Sequence, residues 1–393
     1  LKINNVLFDV TPPQLTFISP ESNSSVNHTM VSIDINEAIF KGSIRWEGVG
    51  GNDPMSPHIR ALPEAQSAGG RFEDLEMGTP PTLVDGAIYN IIIEGTDLAG
   101  NVSNPFTMTN VTYDVTPPQF VDILPKDKSF IREANITYTL TEDLETGKIY
   151  FDHVGGTADL KTTHMITLAG SKKQMGTRGG KLPSSFINLV NDAIYNVRYE
   201  GVDAAGNASP EAVINEITFD NEAPVISVSA PIGDGYFNDP NLQYTLSEIL
   251  TSGMLTVEHV GGVSDGQSPH RIELNEKFLS EGENLIPSIP WVDGASYILS
   301  FDGIDRAGNT ANTVQIKNIT YDATPPIITI DKILNNSYIS DNTLSYSLSE
   351  NVKESTLVFT QVGGEMDSQS PQTISLKGNE LKEGAYVKVS LSN

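Results

Sequence analysis

The chain has 393 residues, of which 50 are acidic and 24 are basic, so its formal net charge is −26. Such a charge repels nucleic acid and anionic lipid, which excludes both as expected partners. Cysteine is absent from the sequence, which excludes disulfides and thiolate metal sites. No apolar run reaches the roughly 18 residues of a membrane span, so none is predicted in this segment.

A junction motif of the form DxTPP recurs along the chain and marks a repeat. It begins at Asp9, Asp114 and Asp322, and a looser copy, DNEAP, begins at Asp220. Successive starts lie 105, 106 and 102 residues apart. The matching of NNVLFD to the end of each repeat predicts that the chain opens inside a preceding unit. The predicted organisation is the last strand of a preceding repeat at 1–8, repeats at 9–113, 114–219 and 220–321, and a truncated repeat at 322–393.

Further motifs follow in a fixed order within each repeat. After the junction come a segment such as YTLTE, a VGG turn, a segment such as VDGAIY, a DxAGN turn and a final NxTYD. Short alternating apolar segments between turn residues predict about seven strands per repeat and no helix. The glycine-rich and lysine-rich stretch 169–181 is predicted to be a polar loop. Seven strands in about 100 residues predict an all-β chain of tandem immunoglobulin-like sandwiches arranged end to end.

A tyrosine closes the VDGAIY-type segment of each complete repeat. In immunoglobulin-like domains a tyrosine at this corner bonds back to the backbone a few residues upstream. Two positions further on, where antibody domains have a cysteine, the chain has Ile91, Val197 and Leu299. Apolar packing is therefore expected to replace the disulfide between the sheets. The predicted structural corner residues are Tyr89, Tyr195 and Tyr297.

Three acidic positions recur in each repeat, and a seven-strand topology brings them to the same end of the sandwich. They are the Asp of the junction, the Glu that closes the second strand, and the Asp of DxAGN. Calcium takes about six to eight oxygen ligands, which carboxylates and carbonyls supply. The predicted calcium ligands are Asp9, Glu37 and Asp97; Asp114, Glu142 and Asp203; Asp220, Glu248 and Asp305; and Asp322 with Glu350. Further ligands could come from Glu94, Glu200 and Asp302.

The same residues have an alternative interpretation that needs no metal. Asp, Gly and Asn are turn residues, so DxAGN can be a tight hairpin and the junction Asp can cap its own turn. Both interpretations stay open at the level of sequence. No other cofactor is expected.

The order and type of these motifs resemble bacterial Ig-like repeats. The segments that carry the resemblance are the Ser-Glu ending of YTLSE, the DxAGN turn and the DxTPP junction. Such repeats occur in large surface adhesins, surface-layer proteins and secreted multidomain enzymes. The resemblance implies an extracellular or cell-surface location.

Other recurrent polar residues offer no catalytic signature. The sequence lacks a G-x-S-x-G elbow, an H-E-x-x-H pair and a P-loop, so no enzyme activity is expected. A pair of histidines near the VGG turn could bind a transition metal, although polar strand-end residues are the simpler reading. The loops Asp53–His58, Asp265–His270 and Asp367–Gln372 are expected either to contact the next repeat or to be ordinary polar loops.

The predicted function is a non-catalytic structural or adhesive region that forms a semi-rigid stalk, filament or surface-layer element, stiffened by calcium at the junctions. Pro-Pro pairs restrict the junctions, whereas the third junction has a single proline, Pro224, and is expected to bend more. Expected partners are neighbouring repeats, other copies in a filament or layer, and a glycan or cell-surface protein. The alternatives are a carbohydrate- or protein-binding module and a spacer in a secreted hydrolase or phage fibre.

Overall fold

A computed structural model describes residues 2–4, 6–76, 82–182, 187–333, 335–336 and 338–390. Within it the fold divides into two compact units. The first comprises Leu1–Pro224 and Ile304–Thr310, and the second comprises Val225–Gly303 and Ala311–Asn393.

The first sandwich, in the first unit, has a sheet of three strands and a sheet of five. The three-stranded sheet has the order β1-β3-β6, and the five-stranded sheet has the order β2-β8-β7-β4-β5. The opening strand is broken in two, since β1 pairs with β3 and β2 pairs in parallel with β8. The strands are β1 (Leu15–Ser19), β2 (Ser25–Val26), β3 (Val31–Ile35), β4 (Ile39–Gly50), β5 (His58–Ala61), β6 (Gly70–Leu75), β7 (Ile88–Asp97) and β8 (Phe106–Tyr113).

The second sandwich, also in the first unit, repeats this topology. Its sheets have the orders β14-β11-β9 and β10-β16-β15-β12-β13. The strands are β9 (Phe120–Leu124), β10 (Phe130–Ile131), β11 (Asn135–Leu140), β12 (Thr146–Gly156), β13 (Thr163–Thr167), β14 (Gly176–Lys181), β15 (Ala193–Val202) and β16 (Ala212–Phe219).

The prediction of a loop at 169–181 is wrong for its second half. Residues Gly176–Lys181 form β14, which pairs antiparallel with β11 along six residues. Three glycines in β14 remove the apolar alternation that marks a strand in the sequence. At Gly179 an added Cβ would overlap the backbone of Ile136, so this glycine is required by the close approach of β11.

The second unit contains most of a third sandwich with the same two sheets, β17-β19-β22 and β18-β24-β23-β20-β21. Its remaining strands form a sheet of three, β25-β26-β29, and a sheet of two, β27-β28. The strands are β17 (Ile226–Ala230), β18 (Gly235–Phe237), β19 (Leu242–Leu246), β20 (Leu250–Gly262), β21 (His270–Glu273), β22 (Gly282–Ile286), β23 (Ala295–Asp305), β24 (Val314–Tyr321), β25 (Ile328–Lys332), β26 (Thr343–Leu348), β27 (Thr356–Phe359), β28 (Gln372–Ser375) and β29 (Gly384–Ser390).

Helical structure in the described residues is limited to single 3₁₀ turns. These turns span Glu64–Gln66, Gly170–Lys173, Glu276–Phe278 and Gly378–Leu381, each shortly before the last strand of a three-stranded sheet. No helix in the described part of the chain is long and apolar enough to cross a membrane.

Each sandwich buries its own apolar cluster, and alternation along the strands produces it. On β7, Tyr89, Ile91 and Ile93 point inward with no exposed surface, whereas Glu94 is exposed. Val197 and Leu299, at the positions equivalent to Ile91, are equally buried. The four clusters of buried residues span 15–111, 120–219, 226–319 and 344–376.

The described residues before the first junction, 2–4 and 6–8, lie outside the strands, and Leu7 and Phe8 are exposed. Leu1 and Asn5 lie outside the described residues. The assignment of 1–8 to a preceding repeat and the bounds of the other repeats stay predictions.

The VGG turn provides a test of the fold. Gly156 has φ of +70°, and an added Cβ would overlap the carbonyl oxygen of Asp192 on the facing corner. We expect Gly156→Ala to lower the free energy of unfolding of the second sandwich by more than about 2 kcal/mol, because left-handed backbone alone costs an L residue about 1–2 kcal/mol. Hydrogen exchange at β12 and β15 measures the loss.

The matched control is Gly364→Ala. Gly364 has φ of +94°, but an added Cβ has no neighbour within 4 Å. Only the conformational cost applies there. Equal losses in the two variants would contradict the close approach of turn and corner.

Candidate metal centres and the joints between repeats

The DxAGN turn is built around the carboxylate of its own aspartate. Asp97 ends β7 and is buried. Its Oδ1 accepts hydrogen bonds from the backbone N–H groups of Ala99 and Asn101, each at 2.8 Å, and its Oδ2 accepts one from Asn101 Nδ2 at 2.7 Å. Burial raises the pKa of Asp97, but these hydrogen bonds outweigh it and the pKa lies below its ordinary value. The turn therefore stabilises an ionised aspartate.

Two other carboxylates approach this aspartate. In the first sandwich, one carboxylate oxygen from each of Asp9, Glu37 and Asp97 lies within 4.8 Å of the others. The junction residue is fixed by its own turn, since Asp9 Oδ1 accepts the N–H of Thr11 at 2.9 Å. Strand order alone brings the three together, as the sequence predicts.

The second sandwich has the same cluster, made by Asp114, Glu142 and Asp203 within the same limit. Of the third predicted set, Asp220 and Asp305 lie in the first unit and Glu248 in the second. In the second unit, Asp322 shares a hydrogen bond with Glu350 and contributes to raising the pKa of that residue.

The asparagine that ends the DxAGN turn binds the junction, which the sequence analysis missed. Asn207 Nδ2 donates to the carbonyl oxygen of Asp114 at 2.9 Å and to Asp203 Oδ2 at 2.8 Å. Asn101 and Asn309 make the equivalent bonds to the carbonyls of Asp9 and Asp220, at 3.2 and 2.9 Å. The linkers that begin at Asp9, Asp114 and Asp220 are thus each bonded to a DxAGN turn further along the chain.

The sandwich before the linker binds it as well. Asp85 Oδ1 accepts the N–H of Val115 at 2.8 Å, and Asp85 Oδ2 accepts the hydroxyl of Thr116 at 2.6 Å. Asn27 Nδ2, from the same sandwich, donates to Asn207 Oδ1 of the next at 3.1 Å. The linker between the first and second sandwiches is therefore bonded from both sides.

The next two linkers keep the hydrogen bond from a linker N–H to the corner side chain, which Val115 and Asp85 make in the first joint. In the second unit Asp293 accepts the N–H of Ala323 at 2.6 Å and the hydroxyl of Thr324 at 2.5 Å. In the first unit Asn191 replaces the aspartate and accepts only the N–H of Asn221, at 2.9 Å. Arg132 also donates to the carbonyl of Gly308 there, at 2.8 Å.

Charge accumulates where the linker is bonded from both sides. Burial raises the pKa of Asp114, and repulsion from Asp203 and Asp85 adds to it. Burial and repulsion from Asp114, Asp203 and Asp85 likewise raise the pKa of Glu142. Four carboxylates thus oppose one another at one joint. Together with the nearby linker carbonyls they form an oxygen-rich site whose chemistry fits a hard cation such as Ca²⁺.

The additional ligands suggested by sequence do not join these clusters. Glu94 lies three residues before Asp97 on β7, and side chains an odd number apart on a strand point to opposite faces. Glu200 is exposed, where its Oε2 accepts the hydroxyl of Tyr150 at 2.9 Å. Asp302 bonds Thr313 on the corresponding outer face.

The corner tyrosines take part in a second polar cluster, at the opposite end of each sandwich. Tyr89 accepts the backbone N–H of Val84 at 3.0 Å and donates to Asp53 Oδ2 at 2.6 Å. The same oxygen lies 2.5 Å from His58 Nε2. Burial, with the hydrogen bond to Asp53 in addition, raises the pKa of Tyr89 to about 12.

The cluster recurs in each complete sandwich. Tyr195 bonds Asp159 Oδ2 at 2.7 Å with His164 at 2.6 Å, and Tyr297 bonds Asp265 Oδ2 at 3.0 Å with His270 at 2.6 Å. Near the end of the chain Gln372 replaces the histidine and donates to Asp367 Oδ2 at 2.8 Å.

For the loop that precedes each histidine the sequence leaves two alternatives, contact with the next repeat or an ordinary polar loop, and the first of these is not met by Asp53 and His58. Both side chains point into their own sandwich: those of Asp53 and His58 are 2% and 1% exposed. The replacement of the histidine by Gln372 shows that a hydrogen-bond donor satisfies the position. A transition-metal site is not needed to explain these histidines.

The buried aspartate of this cluster generates a prediction about acid stability. Burial raises the pKa of Asp159, but hydrogen bonds from His164 and Tyr195 outweigh it and the pKa lies below its ordinary value. Its contribution is present above the unfolded-state pKa of about 3.9 and is lost as pH falls through the lower folded-state pKa. We expect Asp159→Asn to lower the free energy of unfolding near pH 7 by about 1–3 kcal/mol, the range for a buried group that loses charged hydrogen bonds.

Urea denaturation from pH 7 to pH 2 measures this effect. The loss of stability below about pH 4 should be smaller in Asp159→Asn than in the parent, because the depressed carboxylate is gone. Glu211→Gln, an exposed change in the same sandwich, serves as control. An Asp159→Asn variant as stable as this control would contradict the assigned bonds.

Comparison with known proteins gives a family for part of the chain. Residues 82–214 match the family described as bacterial Ig-like domain (group 3). No curated protein matches the chain significantly.

Solved structures with similar features include two multidomain segments. A tetra-tandem repeat in the extending region of a large adhesion protein aligns with 17% identity over 97% of this chain and 91% of that chain, at a TM-score of 0.28. Chicken CNTN1 FN1–FN3 domains align with 14% identity over 78% of this chain and 98% of that chain, at a TM-score of 0.25.

The matched stretch covers most of the second sandwich and the end of the first, and the same strand order recurs in the third. The motifs that define the second sandwich also recur around it. The stretch 82–214 is therefore similar to a bacterial Ig-like domain, and sandwiches with the same strand order recur along the chain as a tandem array.

Proposed function

We propose that this array is a non-catalytic, extracellular structural region that holds successive Ig-like domains in fixed relation as a semi-rigid stalk, filament or surface-layer element. The observation that carries the proposal is the linker between the first and second sandwiches. Its residues are hydrogen-bonded to Asp85 of the preceding sandwich and to Asn207 of the following one. A flexible spacer requires a linker free of such bonds.

The sequence of the linker supports the same role. Pro117 and Pro118 fix φ at two successive positions and restrict the residue before them. The chain between the two sandwiches therefore has few conformations to lose when Asp85 and Asn207 bind it. This favours a joint that stays formed in solution.

Calcium binding at the joints is the second part of the proposal. Burial raises the pKa values of Asp114 and Glu142, and repulsion from neighbouring carboxylates adds to it. A divalent cation would offset this repulsion. Extracellular calcium modules bind with dissociation constants of about 10⁻⁴–10⁻³ M, which suits a secreted protein. After export, bound calcium would then stabilise each joint in one arrangement.

The partners follow from this role. Neighbouring repeats of the same protein contact one another at the joints, and other copies would pack alongside them in a filament or layer. Adhesion to a glycan or surface protein would belong to other parts of such a protein. In this segment Trp46 is buried, and Trp291 packs on Phe237 and donates to the carbonyl of Pro240, so both tryptophans serve the cores.

Calcium titration tests the metal part. With dissociation constants in that range, 10 mM Ca²⁺ adds about 1.4–2.7 kcal/mol to the free energy of unfolding for each occupied site. Glu142→Gln should weaken binding at the second sandwich by about tenfold or more, because it removes a charged ligand. Calorimetric titration and thermal melting with Ca²⁺ and with EDTA measure both effects.

The control is Glu145→Gln, a nearby exposed carboxylate outside the cluster, which should bind calcium like the parent. A melting midpoint that is the same in EDTA and in calcium would refute the metal part and leave the bonded linker untouched.

The pH dependence of the calcium-free protein has a defined sign. The folded-state pKa values of Asp114 and Glu142 lie above their ordinary values. Their contribution to stability is therefore fully present below about pH 4 and is lost as pH rises through the raised values. Denaturation in EDTA should show this loss, and calcium should suppress it. A loss of equal size with and without calcium would argue against binding at these residues.

A further inference from the structure

We propose that the buried tyrosine–aspartate–histidine cluster of each complete sandwich is a positioning device for the joint that follows it. The inference rests on the bonded joint proposed above and adds a set of residues that contact neither the linker nor the acidic cluster. In the first sandwich these residues are Tyr89, Asp53 and His58.

Two sets of hydrogen bonds, joined by the peptide bond between Val84 and Asp85, lead from this cluster to the linker. The hydroxyl of Tyr89 donates to Asp53 and accepts the backbone N–H of Val84. Val84 directly precedes Asp85, whose two carboxylate oxygens hold the N–H of Val115 and the hydroxyl of Thr116. The core of one sandwich is thereby connected to the linker of the next through a single corner.

Burial makes the first of these two sets rigid. Tyr89 has no exposed surface, and the side chains of Asp53 and His58 are 2% and 1% exposed. A buried polar network whose members are bonded is held in one arrangement, because each broken bond leaves a desolvated polar group. Asp53 is also fixed from a third side, by the N–H of Met55 at 3.0 Å.

The second set is exposed and depends on the first. Asp85 lies at the surface, with two further carboxylates across the joint at Asp114 and Glu142 that repel it. An exposed aspartate under such repulsion would turn toward solvent unless its backbone were aimed at the linker. The bond from the Val84 N–H to Tyr89 contributes that orientation, beside the bond from the Gly86 N–H to the carbonyl of Tyr113 at 2.8 Å.

A comparison of the three complete sandwiches distinguishes the bond to the tyrosine from the bonds to the linker. All three keep the bond from the backbone to the tyrosine, from Val84, Val190 and Val292, at 2.9–3.0 Å. The residue after each valine varies, since the second sandwich has Asn191, which makes a single bond to its linker. The tyrosine cluster is thus common to the three sandwiches. The residue after the valine differs, and it determines how many hydrogen bonds hold the linker.

The absence of cysteine makes a direct test practical, since two introduced cysteines are the only labelling sites. Thr107→Cys and Thr167→Cys, at exposed positions in the first and second sandwiches, carry spin labels in the full chain, with EDTA present. Pulsed electron paramagnetic resonance measures the distribution of distances between the two spin labels. Tyr89→Phe, which keeps the ring and loses the hydroxyl, should broaden this distribution as Asp85→Asn does.

Two matched controls should leave the distribution as narrow as in the parent. Tyr195→Phe makes the same change in the second sandwich, whose corner serves the following linker. His58→Gln keeps a donor for Asp53, as Gln372 does for Asp367. If Tyr89→Phe loses the native spectrum of the first sandwich by NMR, Asp53→Asn replaces it as the deciding variant.

The outcomes separate this inference from the proposed function. A narrow distribution in Tyr89→Phe with a broad one in Asp85→Asn overturns the positioning role and leaves the bonded joint intact. Broad distributions in the parent and in every variant overturn the bonded joint itself. Broadening in Tyr195→Phe equal to that in Tyr89→Phe would show general loosening and would also overturn the positioning role.

Discussion

The linker between the first and second sandwiches is held by hydrogen bonds from both of its neighbours, and the charge distribution at this joint follows from that constraint. Asp85 and Asn207 reach the linker from opposite sides, and Asp114 lies between them. Bonding a short linker in this way brings carboxylates of two sandwiches together, where burial and, in addition, mutual repulsion raise the pKa values of Asp114 and Glu142. The same geometry that orders the joint therefore assembles the carboxylates at which we propose that calcium binds.

Each complete sandwich also has an apolar core made of its own residues alone. Inward residues at alternate positions of β7, β15 and β23 fill it, and apolar side chains take the place of a disulfide between the sheets. The tyrosine corner connects the core to the linker. The ring of Tyr89 belongs to the core, and its hydroxyl binds the backbone next to Asp85, which holds the linker. Polar groups thus occupy both ends of each sandwich, and the apolar cluster lies between them.

The sequence predicted the repeat, the sandwiches and the convergence of Asp114, Glu142 and Asp203, because these depend only on periodicity and strand order. It failed where a residue's role is set by something distant in the chain. The strand β14 has no alternation of its own, and its partner β11 specifies it. Asp85 binds a linker residue 30 positions further on. Its place in the VDGAIY segment indicated only a tyrosine corner, so this second role was not predicted. The placement of Glu94 as a ligand could have been rejected from sequence, since it lies an odd number of positions from Asp97 on one strand.

The central claim is that the first two sandwiches are held as one body by their joint. Residual dipolar couplings from the calcium-free, deuterated chain test it most directly, because each sandwich reports its own alignment. The account predicts that couplings from β4 and β7 and those from β12 and β15 fit a single alignment tensor, and that Asp85→Asn separates them into two. Two independent tensors in the parent would contradict it.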